Sequence, residues 1–121
     1  MPRAGISLAV VAFDCNDLDQ MIDFWTELLG VRVTSRDEDW VNLEPTAPGG
    51  PCLAFQLVPE TKVGKNRLHL DVWVDDLPVE QARAEALGAR PVGDRVHEGD
   101  GSFQVMHDPA GNEFCLVDYP W

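Results

Sequence analysis

The side chains best equipped for chemistry stand two residues apart. His69, Asp71 and Trp73 occupy alternate positions of an apolar run, and Glu113, Cys115 and Val117 do the same near the other end of the chain. A strand has a side-chain period of two, so each trio should share one face. A carboxylate beside an imidazole favours the protonated ring and orients it, as a general acid or base requires. Asp71 or Glu113 can play that part for His69. Three readings of His69 stand together: a core histidine satisfied by hydrogen bonds, a ligand-binding group without chemistry, and an acid–base group. Trp73 would give the His69 face a flat apolar wall suited to a planar ligand. Cys115 is a small hydrophobe unless an electropositive neighbour, for which His69 is the candidate, stabilises its thiolate. His97 and His107 fall at a turn and a strand end and take no role. Trp25 lies on a helical core stripe, and Trp40 begins a strand.

Composition narrows the function classes. With 121 residues the chain suits one domain with a real core. A formal charge of −12 repels nucleic acid and anionic lipid, so neither is expected as a partner. No apolar run spans a bilayer, and the first residues lack the apolar region of a signal peptide. Three distant cysteines without a C-x-x-C pair fit reduced thiols and a cytoplasmic protein. Lys62, Lys65 and Arg67 crowd ahead of His69. They make either a solvated loop or a local positive patch for an anionic small molecule.

These residues need elements to hold them. Residues 6–13 read as a buried strand, and 14–17 as turn and N-cap. Leu18, Met21, Ile22, Trp25, Leu28 and Leu29 follow helical spacing, with Phe24 at the border and Gly30 as C-cap. Strands follow at 31–36, 40–44 and 52–58, with a Pro- and Gly-rich loop at 45–51. The pattern restarts with a strand at 68–74. A helix comes next, capped by Asp76 with Pro78 in its first turn, its stripe Leu77, Val79, Ala82, Ala86 and Leu87, ended by Gly88. Strands are expected at 91–96, 102–107 and 113–118, with turns at 97–101 and 108–112. The segment from Asp17-Leu18 to Leu29-Gly30 matches that from Asp76-Leu77 to Leu87-Gly88. The chain is thus a twofold repeat of βαβββ units.

On Asp17-Leu18, Phe24-Trp25, Leu28-Leu29-Gly30, His69-Leu70-Asp71 and Asp108-Pro109-Ala110-Gly111-Asn112-Glu113, in this order within that repeat, the chain resembles the vicinal oxygen chelate superfamily of glyoxalases, bleomycin-resistance proteins and extradiol dioxygenases. Phe55-Gln56, the run 65–71 and Asn112-Glu113-Phe114-Cys115 resemble its glyoxalase-like domain branch. The resemblance implies an α+β fold in which two βαβββ modules form a cupped, partly open mixed β-sheet barrel with helices outside. The modules would be residues 6–59 and 67–119, joined by 60–66. It also implies a small-molecule cavity on the concave side and a homodimer. Metal-using members carry ligands at positions that fall near Val10, Gln56, His69 and Cys115. Val10 cannot coordinate, and Cys115 stands where a carboxylate is usual, so no tightly bound cofactor is expected. Were zinc, iron, manganese or nickel bound, His69 and Gln56 would take part.

The resulting expectation is a cavity protein in which His69 and Glu113 are the catalytic candidates. Gln56, Asp71, Trp73 and Cys115 are the ligand-binding candidates. Two alternatives accompany it: a metal-dependent lyase, isomerase or dioxygenase, and a drug-sequestering protein without turnover.

Overall fold

The computed structural model describes residues 3–120. The chain divides after Thr61 into two compact units. The first holds β1 (Val10–Cys15), α1 (Leu18–Leu29), β2 (Val33–Arg36), β3 (Trp40–Leu43) and β4 (Cys52–Leu57). The second holds β5 (Leu70–Trp73), α2 (Leu77–Ala86), β6 (Arg90–Glu98), β7 (Gly101–His107) and β8 (Glu113–Val117). Each unit is one βαβββ module with a four-stranded open sheet. The orders, β1-β4-β3-β2 and β5-β8-β7-β6, are the same pattern twice. First and last strands pair in parallel, and the remaining neighbours pair antiparallel. The architecture is the α+β fold expected from the repeat.

Helix α1 forms because its apolar residues recur on one face and both ends are capped. The Asp17 carboxylate accepts the Gln20 N–H at 3.1 Å. Gly30 closes the helix at φ 70°, donating its N–H to Thr26 O. Met21, Phe24 and Trp25 are fully buried, each burial being worth roughly 1.5–3 kcal/mol. Phe24 therefore belongs to the centre of the stripe and not its border. The ring of Trp25 meets Phe13 and Phe24 edge to face.

Helix α2 differs from expectation. Val79, Ala82 and Ala86 are exposed, while Leu77 and Ala84 are buried. The true stripe steps seven residues from Leu77 to Ala84, with the half-buried Gln81 between them. The expected stripe holds at Leu77 and the half-buried Leu87 but not at Val79, Ala82 and Ala86, because with alanines on both faces residue type barely separates them.

Strand limits also shift. β1 starts at Val10, four residues later than expected, and runs on through Asp14 and Cys15, because its ladder is set by parallel pairing with Cys52–Leu57. β5 begins at Leu70, so His69 stands just before the ladder. β6 extends to Glu98 across a bulge between Val92 and Val96. His97 is thus a strand residue opposite Ser102 and not part of a turn. The buried Gln104 donates its side-chain N–H to Gly93 O at 3.1 Å, pinning that bulge.

Candidate functional site

In the second unit, register decides which side chains meet. Asp71 pairs with Cys115, and Trp73 with Val117, across β5 and β8. Cys115 pairs in turn with Val105, Val117 with Phe103, and Glu113 with His107 across β8 and β7. Directly paired residues point to the same face. The two trios read separately from the sequence therefore share one face. The opposite face carries Phe114, Leu116, Met106 and Gln104, all buried.

On the first face lies a pocket of about 360 Å³, lined by Lys65, His69, Asp71, Phe103, Val105, Glu113, Cys115, Val117 and Tyr119. Polar groups gather where β5 and β8 begin, and rings gather toward their ends. His69 Nδ1 lies 3.0 Å from Asp71 Oδ1, both side chains being about half exposed (55 %). A carboxylate oxygen accepts, so the geometry assigns an N–H to Nδ1 and leaves Nε2 outside that bond.

Glu113 is tied differently. Its side chain is only 11 % exposed. Oε2 accepts the Asn66 N–H at 2.9 Å and lies 3.7 Å from Lys62 Nζ, and Oε1 is 3.8 Å from His107 Nε2. Burial alone raises its pKa. The N–H groups of Asn66 and of Glu113 itself, with Lys62 and His107, outweigh that and hold the carboxyl below its ordinary value. Glu113 thus fastens the segment 62–66 to the start of β8.

Burial pushes the Cys115 thiol up, and the Asp71 carboxylate raises it further through its charge and a hydrogen bond. Nearby Lys65 opposes this without reversing it. The thiol stays protonated at neutral pH. Tyr119 also has a raised pKa, from desolvation and then the neighbouring Glu98 and Asp118. The tyrosine lies across Gly101, where a Cβ would stand 2.8 Å from Tyr119 Cα.

The structure thus brings His69, Asp71, Glu113 and Cys115 to one pocket. Trp73 is not among the lining residues; its indole N–H donates to Tyr119 O at 2.9 Å. Gln56 is exposed on β4 of the first unit, opposite Asp14 and Trp40 in the ladders. Phe103, Val105 and Tyr119 escaped the sequence reading, as did the His107–Glu113 proximity. The signal for three of them was present, since Phe103, Val105 and His107 alternate along β7. Tyr119 lies beyond any expected strand and left none.

The metal positions implied by the family resemblance do not fit this chain as a set, because Val10 carries no donor atom. One smaller group could hold a cation: the ligand atoms of His69, Asp71 and Cys115 lie within 4.8 Å of one another. That donor set suits a zinc-type ion. Binding there would have to displace the His69–Asp71 bond and the Cys115 proton.

Comparison with known proteins agrees with this architecture. Residues 10–117 match the glyoxalase-like domain family. No curated protein matches the chain. A glyoxalase/bleomycin resistance protein/dioxygenase family enzyme from Burkholderia phytofirmans PsJN superposes with a TM-score of 0.79 at 20 % identity, covering 93 % of this chain and 98 % of that one. The fosfomycin resistance protein FosX from Mesorhizobium loti gives 0.74 at 16 % identity, covering 98 % and 95 %. The bleomycin resistance determinant encoded on transposon Tn5 gives 0.67 at 20 % identity, covering 96 % and 100 %. At such identities the likeness concerns the fold. The match over residues 10–117 shows that the chain belongs to the glyoxalase-like domain family.

Proposed function

We propose that the pocket of the second unit binds a small molecule and that His69, braced by Asp71, moves a proton on it without a tightly bound metal. The observation that carries this reading is the 3.0 Å His69–Asp71 pair on the wall of a cavity of about 360 Å³. Nδ1 is engaged and Nε2 can act as base, the arrangement that orients a general base toward a substrate C–H or O–H. Glu113 is less suited to take a proton, because its surroundings stabilise the carboxylate. It holds the wall in place. Cys115, as a neutral thiol, contributes surface.

The test is exchange of the carbon-bound proton next to a carbonyl, followed by NMR in D₂O over a panel of α-keto acids and α-hydroxy ketones. Wild type should accelerate exchange for some member. His69→Gln should abolish the acceleration, and Asp71→Asn should reduce it by one to two orders of magnitude. Acceleration that survives in His69→Gln defeats the assignment.

A second reading rests on the closeness of His69, Asp71 and Cys115: a divalent cation there would polarise substrate oxygens. Elemental analysis of protein purified without chelator separates the two. Stoichiometric zinc, iron, manganese or nickel, lost in His69→Ala, selects the second. The same proposal includes a cytoplasmic homodimer. Ile6, Leu8 and Val10, alternate residues leading into β1, are 67, 70 and 40 % exposed and offer an apolar strip for a second copy. Light scattering at the mass of one chain would remove that part.

A further inference from the structure

The pocket's wall says more about its ligand than that it is small. Across β5, β8 and β7 the lining grades from charge to rings. Asp71, Cys115 and Val105 form one paired row, and Val117 with Phe103 the next. Beyond them Tyr119 faces Phe103, ring centres 6.4 Å apart and tilted by 42°. These two rings contact each other and, with the valines, make an apolar wall against which a flat body can lie. Gly101 admits Tyr119 to that place, and the Trp73 N–H holds its carbonyl.

At the polar end the charges are divided unequally. Asp71 is engaged by His69. Glu113 is engaged by Lys62, Asn66 and His107. Lys65 lines the pocket and, among the described residues, makes no ion pair. It is nevertheless held, because Lys62 and Asn66 on either side of it are both fastened to Glu113, Asn66 also donating its side-chain N–H to Glu113 O at 3.3 Å. A lysine in no ion pair among the described residues thus stands on a held segment at the pocket wall, in a chain whose net charge of −12 otherwise repels anions.

We propose that the ligand is a small planar aromatic monoanion of the carboxylate class, its ring against the wall made by Phe103 and Tyr119 and its charge on Lys65 beside His69. This rests on the pocket reading above and adds the ligand's chemistry. The cavity has room for one or two fused rings.

Three near-isosteric probes test it: 2-naphthoate, 2-naphthamide and 2-naphthylmethylammonium. Each is titrated by calorimetry, with the Val105 and Val117 methyl signals and the His69 ring proton followed by NMR. Naphthoate should bind about tenfold more tightly than the amide, the worth of one charge-assisted contact at a part-exposed site. The ammonium should bind most weakly. Lys65→Met should erase the preference for the anion, bringing the naphthoate and amide affinities together. Phe103→Leu should weaken all three. Raising salt should narrow the gap between naphthoate and amide. Equal binding of the three probes, a preference for the ammonium, or an anion preference that survives Lys65→Met overturns the inference and leaves the pocket reading standing. If no probe moves the valine or histidine signals and no carbonyl compound exchanges, both fall together.

Discussion

Replacing Glu113 by glutamine isolates what its charge does. Glutamine keeps the shape and an acceptor for the Asn66 N–H but cannot pair with Lys62. A hydrogen bond to a charged group is worth roughly 1.5–3 kcal/mol and a neutral one roughly 0.5–1.5, so about 1 kcal/mol is lost at Asn66. The Lys62 pair, 3.7 Å apart with Lys62 27 % exposed, adds under about 1 kcal/mol. The expected loss near neutrality is about 1–2 kcal/mol, or roughly 4–8 °C in melting temperature for a chain of this size. Its pH dependence follows from the direction of the shift. The folded pKa lies below the ordinary 4.5, so the unfolded chain takes up its proton first as pH falls. The stabilisation is complete above the ordinary value and disappears as pH drops through the folded one. Urea unfolding of both proteins, from pH 7 down to the lowest pH at which wild type stays folded, should show curves that converge at the acidic end. Equal stability at pH 7, or a gap that persists undiminished in acid, would refute the account of Glu113 as an ionised clamp.

Three further outcomes follow from the same geometry. Gly101→Ala would place a methyl against the Tyr119 backbone and should cost about 1–3 kcal/mol, read by chemical denaturation. Asp108 is buried and accepts N–H bonds from Ala110 at 3.0 Å and Asn112 at 2.8 Å. Asp108→Ala should destabilise by about 2–4 kcal/mol and speed hydrogen exchange at the Asn112 amide. Iodoacetamide at pH 7.5 should modify the half-buried Cys52 before Cys115, whose thiol is held protonated. Asp71→Asn removes a charge that raises the Cys115 pKa, so peptide mapping should find Cys115 alkylated faster in that variant.

What could be read in advance divides along a physical line. The repeat was legible because both helices begin with an Asp-Leu cap and end near glycine, and caps act locally. The meeting of His69 and Asp71 was legible from alternation, although His69 stands just before the β5 ladder and its bond to Asp71 completes the pair. The convergence of the two trios was expected only through the family resemblance, since alternation alone cannot give it: it depends on register between strands more than 40 residues apart, and a slip of one residue would reverse every side chain. Trp73 shows the same limit. Its face follows from the alternation, but its hydrogen bond to Tyr119 O depends on where the chain travels after β8. In α2, alanines on both faces erased the contrast that periodicity needs.

The repeat also shows that the polar row is confined to one copy. Asp71 stands five residues before the cap Asp76, and Ala12 stands five before the cap Asp17. The ladders place them alike: Asp71 opposite Cys115, Ala12 opposite Ala54. The same lattice position thus holds a carboxylate and a thiol in one module and two methyl groups in the other. His69, two residues ahead, likewise answers to Val10. Backbone pairing and the Asp N-caps are alike in kind, so the fold tolerates either filling. The module without a polar row can serve as scaffold, while the other carries an imidazole, a carboxylate and a lysine on a segment fastened by Glu113. Ala12→Asp combined with Val10→His would restore the row without touching the ladder. If architecture alone created the function, that variant should gain a second site with proton-exchange activity of its own. The prediction is that it will not, because the first unit has no counterpart of the Lys65 segment clamped by Glu113: the residue in the place of Glu113, opposite Val10, is Cys52. Exchange activity appearing in that variant after His69→Gln would show that the clamp is dispensable.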